Sequence, residues 1–375
     1  MHSQSPNLLQ RARTWISSSL FNTDRPAEYF EYLLEGIDPM WSALECKARV
    51  MAVRTETADT KTWVLQPVAG WKGFEAGQHI HITLDVNGVR STRTFTISSS
   101  PAQWRQSGTI TLTVKRVREG RVTGWMHDHL QAGDVIAISQ AEGEFVLSPR
   151  QEAPVGYIAA GSGITPIMSQ LRWLAAHSMP VGANLLYFAN TRNDFIFGKE
   201  NQALSQSNAR LNSHLIATYD EPETRHKLPQ APICAEQIQA LLATKPERIY
   251  LCGPHPFREI AKQLLQDAGF SADRIHEEAF GLPPVQRAVD EPITVRFAQS
   301  HTETRTQEPG TLLEMAEAAG LTPNSGCRMG ICYTCKCRKQ SGQVRNVVTG
   351  EVSGTEAEDI RICVSTPLTD VDIDI

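Results

Sequence analysis

Ser325-Gly-Cys-Arg-Met-Gly-Ile-Cys-Tyr-Thr-Cys335 holds Cys327, Cys332 and Cys335 at C-x4-C-x2-C spacing, and Cys363 follows downstream. Four thiolates so arranged form an all-sulfur cradle for a [2Fe-2S] cluster, with three ligands on one Gly-rich loop. Such a cluster moves one electron at a time, so the chain is expected to hold a group that supplies or collects electrons. Zinc is the competing reading, but a structural zinc site takes two C-x2-C pairs or a mixed Cys/His set, and this loop has one pair and no His. Disulfides fit less well, because Cys46, Cys234 and Cys252 are scattered through a long chain without a secretory signal. Cys337, two residues past the third ligand, could compete with Cys335 in a slipped register; the C-x2-C spacing favours Cys335.

Outward from the loop, the chain divides. Residues 284–375 follow a Pro-rich hinge, Gly281-Leu-Pro-Pro284, and contain an expected hairpin, Ile293 to Gln299 with Glu303 to Thr306, then a helix from Thr311 to Ala319 that leads into the cysteines. Residues 151–283 alternate strands with helices. Tyr157–Ala160, Asn184–Asn190, His214–Tyr219 and Arg248–Cys252 read as buried parallel strands of an α/β nucleotide-binding domain, with helices around Met168–Ala176 and Phe257–Ala268. Residues 46–150 carry short alternating runs broken by turns such as Asn87-Gly88, the pattern of an antiparallel β-barrel. In residues 1–45, Leu8, Leu9, Trp15, Ile16 and Leu20 share one face of a helical wheel. A helix packed on the next domain is the plainer reading; one docking on a membrane surface or a partner is the sharper.

Composition narrows the class. The 375 residues are 41% hydrophobic and 21% charged, with a formal charge of −5 and no basic block, which gives no support to nucleic-acid binding. No apolar run reaches transmembrane length, and the first residues lack the apolar stretch of a cleaved signal. A cytoplasmic, reducing compartment is expected, with peripheral contact at the inner membrane face permitted by the leader. His127 and His129 read as surface residues rather than metal ligands.

In the barrel, Arg93-Thr-Phe-Thr-Ile-Ser-Ser99 combines a cation, an aromatic and hydroxyls on one strand, and Gly120-Arg-Val-Thr-Gly-Trp125 opens a helix whose free amides suit a diphosphate. These stretches resemble the R-x-[YF]-[ST] and G-x-x-S segments of the ferredoxin-NADP reductase superfamily. In the second domain Gly161-Ser-Gly-Ile-Thr-Pro166, which lacks the ordinary dinucleotide fingerprint, resembles that superfamily's G-[ST]-G-I-[ST]-P element, and Cys252-Gly-Pro254 its C-G-P. The resemblance spans residues 46 to 375. It implies a flavin-binding barrel, an NAD(P) domain and a β-grasp ferredoxin domain, carrying FAD, a nicotinamide and the cluster.

It also implies roles. Arg93 with Val122, Thr123 and Gly124 would hold the FAD diphosphate, Thr94, Phe95 and Thr96 would line the flavin with Thr96 near its reactive nitrogen, and Glu278 and Phe280 would close over it. Gly161, Gly163 and Thr165 would take the nicotinamide nucleotide, and Cys252, Gly253 and Pro254 would lie beside the nicotinamide. Arg192, at the exit of the second strand, favours NADPH over NADH through a 2′-phosphate. The flavin converts a two-electron hydride into single electrons for the cluster. The architecture resembles reductases that feed oxygenases and desaturases, the leader ending in Asp38-Pro-Met-Trp41 pointing to a fatty-acyl desaturase or monooxygenase as acceptor. An NADH-dependent reductase of a ring-hydroxylating dioxygenase and a non-catalytic flavin/iron-sulfur subunit are the alternatives. Tyr333 stands where a small residue is usual, and Arg328, Lys336, Arg338, Lys339 and Arg345 suggest a basic face around the cysteine loop, fitted to an acceptor that presents carboxylates.

Overall fold

The computed structural model describes residues 37–42, 45–86, 88–117, 120–147, 152–219, 233–280, 292–306, 310–330 and 333–375. The expected leader helix, the expected Gly281–Pro284 hinge and the expected ligand Cys332 lie outside these residues. Among those described, no helix is long and apolar enough to cross a membrane.

The first domain is built from strands β1 (Cys46–Thr57), β2 (Thr60–Pro67), β3 (His79–Val86), β4 (Val89–Thr96), β5 (Ile110–Lys115) and β6 (Val135–Ile138), with helices α1 (Pro101–Ser107) and α2 (Arg121–His129). They form one antiparallel sheet in the order β4-β3-β6-β1-β2-β5. A bridge between Ile97 and Leu112 brings its two edges together, so the sheet closes as the barrel the alternation predicted. Trp63, Leu65, Ile80, Ile82, Ile97 and Ile110 fill the interior. Trp63 satisfies its ring N–H on Leu130 O at 3.0 Å. Strands β3 and β4 pair with Val86 opposite Val89, which fixes the register of the whole hairpin.

The second domain comprises β7 (Val155–Ala160), α3 (Ile164–Ala176), β8 (Ala183–Ala189), α4 (Gly198–Ser207), β9 (Leu211–Ala217), α5 (Ala235–Leu242), β10 (Arg248–Cys252), α6 (His255–Asp267) and β11 (Ile275–Glu278). The sheet is parallel, ordered β11-β10-β7-β8-β9. Both faces are covered: Tyr157, Leu185 and Tyr187 enter one core while Ile158, Leu186 and Phe188 enter the other. Double burial explains why these strands read as continuous apolar runs. The strand order reverses between β7 and β10, and ligands of such sheets bind at that crevice.

The third domain has β12 (Ile293–Phe297), β13 (Thr302–Thr306), α7 (Leu312–Ala318), β14 (Lys336–Ser341), β15 (Val344–Asn346), β16 (Glu358–Arg361), β17 (Ser365–Pro367) and β18 (Val371–Ile373). Its main sheet runs β13-β12-β18-β14-β16 with β12 and β18 parallel, and Leu312, Leu313 and Ala316 of α7 pack with Val295, Phe297 and Ile373. Helix α7 starts at a reciprocal cap, Thr311 N–H donating to Glu314 Oε2 at 2.8 Å and Glu314 N–H to Thr311 Oγ1 at 3.3 Å. Lys339 is fully buried and donates to the carbonyls of Gly342 (2.8 Å), Gly354 (2.9 Å) and Glu356 (2.7 Å). It pins the loop that precedes β16 and is unavailable to any surface.

Polar contacts lock the first two domains together through α3 and β10. Ser169 donates to Ser99 O at 2.7 Å, Gln170 Nε2 to Phe145 O at 2.9 Å, and the hydroxyl of Tyr250 on β10 to Val146 O at 3.0 Å.

Candidate active site

The β3–β4 register sets Thr96 opposite His79 and Thr94 opposite His81. The outer end of this hairpin and the start of α2 border a cleft of about 450 Å³ lined by Arg93 to Thr96, Gly120 to Thr123, Thr165 and Phe280. Helix α2 has no side-chain cap, so its leading amides stand open to the cleft. Thr123 Oγ1 is engaged by the Val117 N–H at 3.1 Å, and Gly124 N–H is bound to Gly120 O inside the helix, so Gly124 does not reach the cleft surface. Arg93 is mostly withdrawn from solvent; burial, then Arg328, then Arg121, pull its pKa down to about 10. A buried guanidinium with cationic neighbours beside uncapped helix amides is a site that calls for an anion. That donor set fits a dinucleotide diphosphate.

The nucleotide crevice opens at the C-terminal ends of β7 and β10. Gly161 takes φ +55°, and a Cβ on Gly163 would fall 2.2 Å from the carbonyl oxygen of Cys252, so only glycine lets the two strand ends meet. A cavity of about 590 Å³ there is lined by Gly161, Ser162, Asn190, Asp194, Gly253, Pro254 and Phe280, which thus borders both clefts. Thr165 is turned inward, its hydroxyl donating to Ser162 O at 3.0 Å. Arg192 lines a separate cavity with Thr55, Glu56 and Phe197. Asp194 is the residue of that turn that lines the nucleotide cavity, its Oδ2 accepting from Thr191 N–H at 3.0 Å and Thr191 Oγ1 at 2.8 Å.

Strand pairing sets Cys252 beside Glu278. Burial, then the Glu278 carboxylate, push the Cys252 thiol well up, so it stays neutral. Glu278 reaches across the domain boundary to Thr96, whose hydroxyl lies 3.4 Å from its Oε2. Burial also raises the Glu278 pKa, against the opposing pull of His79 and Thr96. His79, His81 and Glu142, which accompany these residues, were absent from the motif reading. Their signal was available: counting back from the two-residue turn pairs His79 and His81 with the two threonines. His127, read as exposed, is buried, its Nε2 2.9 Å from Val114 O and its ring edge-on to Trp63.

The cysteine loop leans on the flavin domain, Arg93 Nη1 donating to Gly326 O at 3.4 Å. Cys327, Cys335 and Cys363 are buried, and Met329 N–H points at Cys327 Sγ at 3.4 Å. A hydrogen bond from Cys363 holds the Cys335 thiol down to about 6 and raises that of Cys363. Burial and Cys335 push Cys337 up to about 12. These three thiols fit a cluster cradle; with Cys332 undescribed, no group of three or more His, Cys, Asp or Glu among the described residues is gathered to hold a single metal ion. Gly330, at φ +77°, avoids Val364, whose Cγ1 would lie 2.8 Å from a Cβ. Tyr333, 61% exposed at φ +56°, lies under Arg361 at 4.7 Å. Four of the five cations of the expected basic face are paired or buried. Arg328 pairs with Glu317, Lys336 and Arg338 with Asp359, and Lys339 is interior.

Family models match three consecutive segments: an oxidoreductase FAD-binding domain over residues 47–147, an oxidoreductase NAD-binding domain over 157–263, and a 2Fe-2S iron-sulfur cluster binding domain over 295–368. An NADPH oxidoreductase of Mycobacterium tuberculosis is 32% identical over 342 residues, covering 90% of this chain and 86% of that protein. The chain belongs to the flavin- and [2Fe-2S]-dependent NAD(P)H oxidoreductases. A glycine betaine monooxygenase reductase subunit of Pseudomonas aeruginosa is 30% identical, covering 89% and 96% of the two chains. Phthalate dioxygenase reductase shares the fold, with a TM-score of 0.61 at 22% identity, over 88% of this chain and 97% of that one. As a member of this family the chain carries FAD, a nicotinamide nucleotide and a [2Fe-2S] cluster on a barrel, a parallel α/β domain and a β-grasp domain in that order, and it is an enzyme rather than a non-catalytic subunit.

Proposed function

We propose that this oxidoreductase is the reductase component of an oxygenase system, passing electrons from a nicotinamide through FAD to the cluster and on to a separate oxygenase. The observation that carries the reading is spatial continuity: Cys252 pairs with Glu278, Glu278 meets Thr96, and Arg93 on the same strand as Thr96 meets Gly326 of the cysteine loop. The relatives named as monooxygenase and dioxygenase reductases support an oxygenase as acceptor.

Bound FAD supplies the conversion of a hydride pair into single electrons. The residues of the chain bind and orient. Arg93 and the open amides of Arg121 to Thr123 would hold the diphosphate, and Phe280 would cover the boundary between flavin and nicotinamide. Gly163 lets the phosphate-facing loop close on Cys252, whose neutral thiol leaves the nicotinamide an uncharged neighbour. Cys327, Cys332, Cys335 and Cys363 would ligate the cluster.

NADPH was the expectation from Arg192. With Arg192 on another cavity and Asp194 on the nucleotide one, NADH is the better fit, an acidic residue at that turn being suited to a ribose 2′-hydroxyl. Steady-state reduction of ferricyanide with each coenzyme, followed by product formation with a purified oxygenase component and its substrate, tests both parts. A higher kcat/KM with NADH and chain-dependent oxygenation are expected. Preference for NADPH would reverse the coenzyme reading, and delivery to a desaturase alone would reverse the acceptor.

A further inference from the structure

Arg361 reaches over the cysteine loop from the strand beside it. It ends β16 and stands opposite Lys336, the residue that follows Cys335. Its Nη1 donates to Gly330 O, and its guanidinium carbon lies 4.7 Å from the centre of the Tyr333 ring. Gly330 and Tyr333 precede and follow Ile331 and Cys332, so one side chain holds the chain on both sides of that expected ligand. The backbone at Arg361 is tied to the other ligands. Ile362 N–H donates to Cys335 O at 3.2 Å, and Arg361 O accepts from Val364 N–H at 3.0 Å and Ser365 Oγ at 2.9 Å, closing the turn that carries Cys363. Arg328 pairs with Glu317, and Lys336 and Arg338 pair with Asp359, whereas among the described residues no carboxylate pairs with Arg361.

Tyr333 is placed at a cost. An aromatic residue is uncommon at positive φ, and its φ of +56° persists where the surroundings over-determine it. The ring is mostly exposed, so burial does not account for its position; the guanidinium of Arg361 lies over it. The two residues border a groove of about 590 Å³ with Lys336, Asn346, Val352 and Asp359, and no residue of the first two domains lines it. By contrast, Gly326 meets Arg93, and Met329 lines the cleft of Thr94 and Thr96. The cysteine loop thus has a flavin side, and Arg361 with Tyr333 stands on a different one.

The geometry points to Arg361 as a positioning residue that raises the reduction potential of the cluster, with Tyr333 holding its guanidinium in place. Four thiolates make the loaded cradle anionic, and an added electron makes it more so. A fixed cation beside it favours the reduced form, since net charge and hydrogen bonding near the sulfurs set such potentials. Arg361 is half-buried, so its charge is less screened than that of a fully exposed side chain. The cation–π contact with Tyr333 keeps the long side chain from swinging out into the groove. Its bond to Gly330 O holds it against the loop at the same time. The consequence is a direction for the electron: a higher cluster potential draws it off the flavin.

The inference rests on Cys327, Cys332, Cys335 and Cys363 holding the cluster, and the test separates the two. Anaerobic redox titration of the full-length protein carrying FAD and cluster, followed by electron paramagnetic resonance, reads the cluster midpoint directly. Arg361→Gln keeps a donor for Gly330 O and removes the charge. The ratio of reduced to oxidised cluster at a fixed potential is expected to fall about tenfold, a downward shift of about 59 mV for one electron. Arg361→Lys keeps the charge and is expected to stay within about twofold of the parent ratio. Tyr333→Leu leaves the charge without its platform and is expected to lower the ratio about threefold. A parent-like midpoint in Arg361→Gln, or in Tyr333→Leu where Arg361→Gln sheds its cluster, would overturn the potential-setting role of Arg361, as would an equal fall in Arg361→Lys and Arg361→Gln. A fall in Arg361→Gln with Tyr333→Leu unmoved would overturn the part given to Tyr333. An unchanged cluster signal in Cys335→Ala would instead overturn the cradle beneath both.

Discussion

Arg93 ties two sites together with one side chain. Its guanidinium lines the cleft that the uncapped start of α2 also borders and donates to the Gly326 carbonyl, with its charge disfavoured by burial and by Arg328. A bound diphosphate would relieve that cost through charge-assisted hydrogen bonds worth about 1.5–3 kcal/mol. Arg93→Ala is therefore expected to weaken FAD binding roughly ten- to a hundredfold, measured by flavin fluorescence on dilution; unchanged retention would count against the cleft. Glu278 makes a second, opposite statement. Burial raises its pKa in the folded protein, so between the ordinary carboxylate range and the raised value the folded state binds more protons than the unfolded one. The stability it contributes is full below the ordinary carboxylate pKa and is lost as pH rises through the raised one. Glu278→Gln should gain stability relative to the parent over that rise, read by urea unfolding from acid to neutral pH; parallel curves would contradict the assignment. Arg93 and Glu278 were legible from local motifs. The placement of His79, His81 and Glu142 beside them was not, because it comes from cross-strand register and from a contact between domains.

At the scale of elements, the crevice depends on strand ends that approach closer than side chains allow. Gly163→Ala places a methyl 2.2 Å from a backbone carbonyl, an overlap that no side-chain rotation relieves. Overpacking of this kind costs about 1–3 kcal/mol. The variant should show a raised KM for the nicotinamide and a lower Tm while FAD content holds; a parent-like KM would mean the loop does not close on the nucleotide. Periodicity gave four of the five strands of the parallel sheet to within a few residues, since burial on both faces leaves a continuous apolar signal, and missed the edge strand β11, which is only half-buried. Helices α4 and α5 escaped notice because Gly198–Ser207 buries only Asn201, and Ala235–Leu242 buries only Ile238 and Leu241. Charge near the cysteine loop misled for a related reason. Lys339 reads as a surface cation in sequence, yet three carbonyls accept its hydrogen bonds inside the domain.

Across the whole molecule, domain order was readable because each unit has its own pattern: alternation in the barrel, apolar strands with helices in the second domain, and cysteine spacing in the third. Relations between units were not, since Thr96 to Glu278 and Arg93 to Gly326 join residues far apart in the chain. Those two contacts support an ordered path in which the cluster receives electrons only through the flavin. The direct measurement is anaerobic addition of NADH without any acceptor, following the cluster by electron paramagnetic resonance in the parent and in FAD-depleted Arg93→Ala protein that retains its cluster. The account predicts a reduced-cluster signal in the parent that disappears without FAD and returns when FAD is supplied at saturating concentration. Cluster reduction at the parent rate in the FAD-free protein would contradict it.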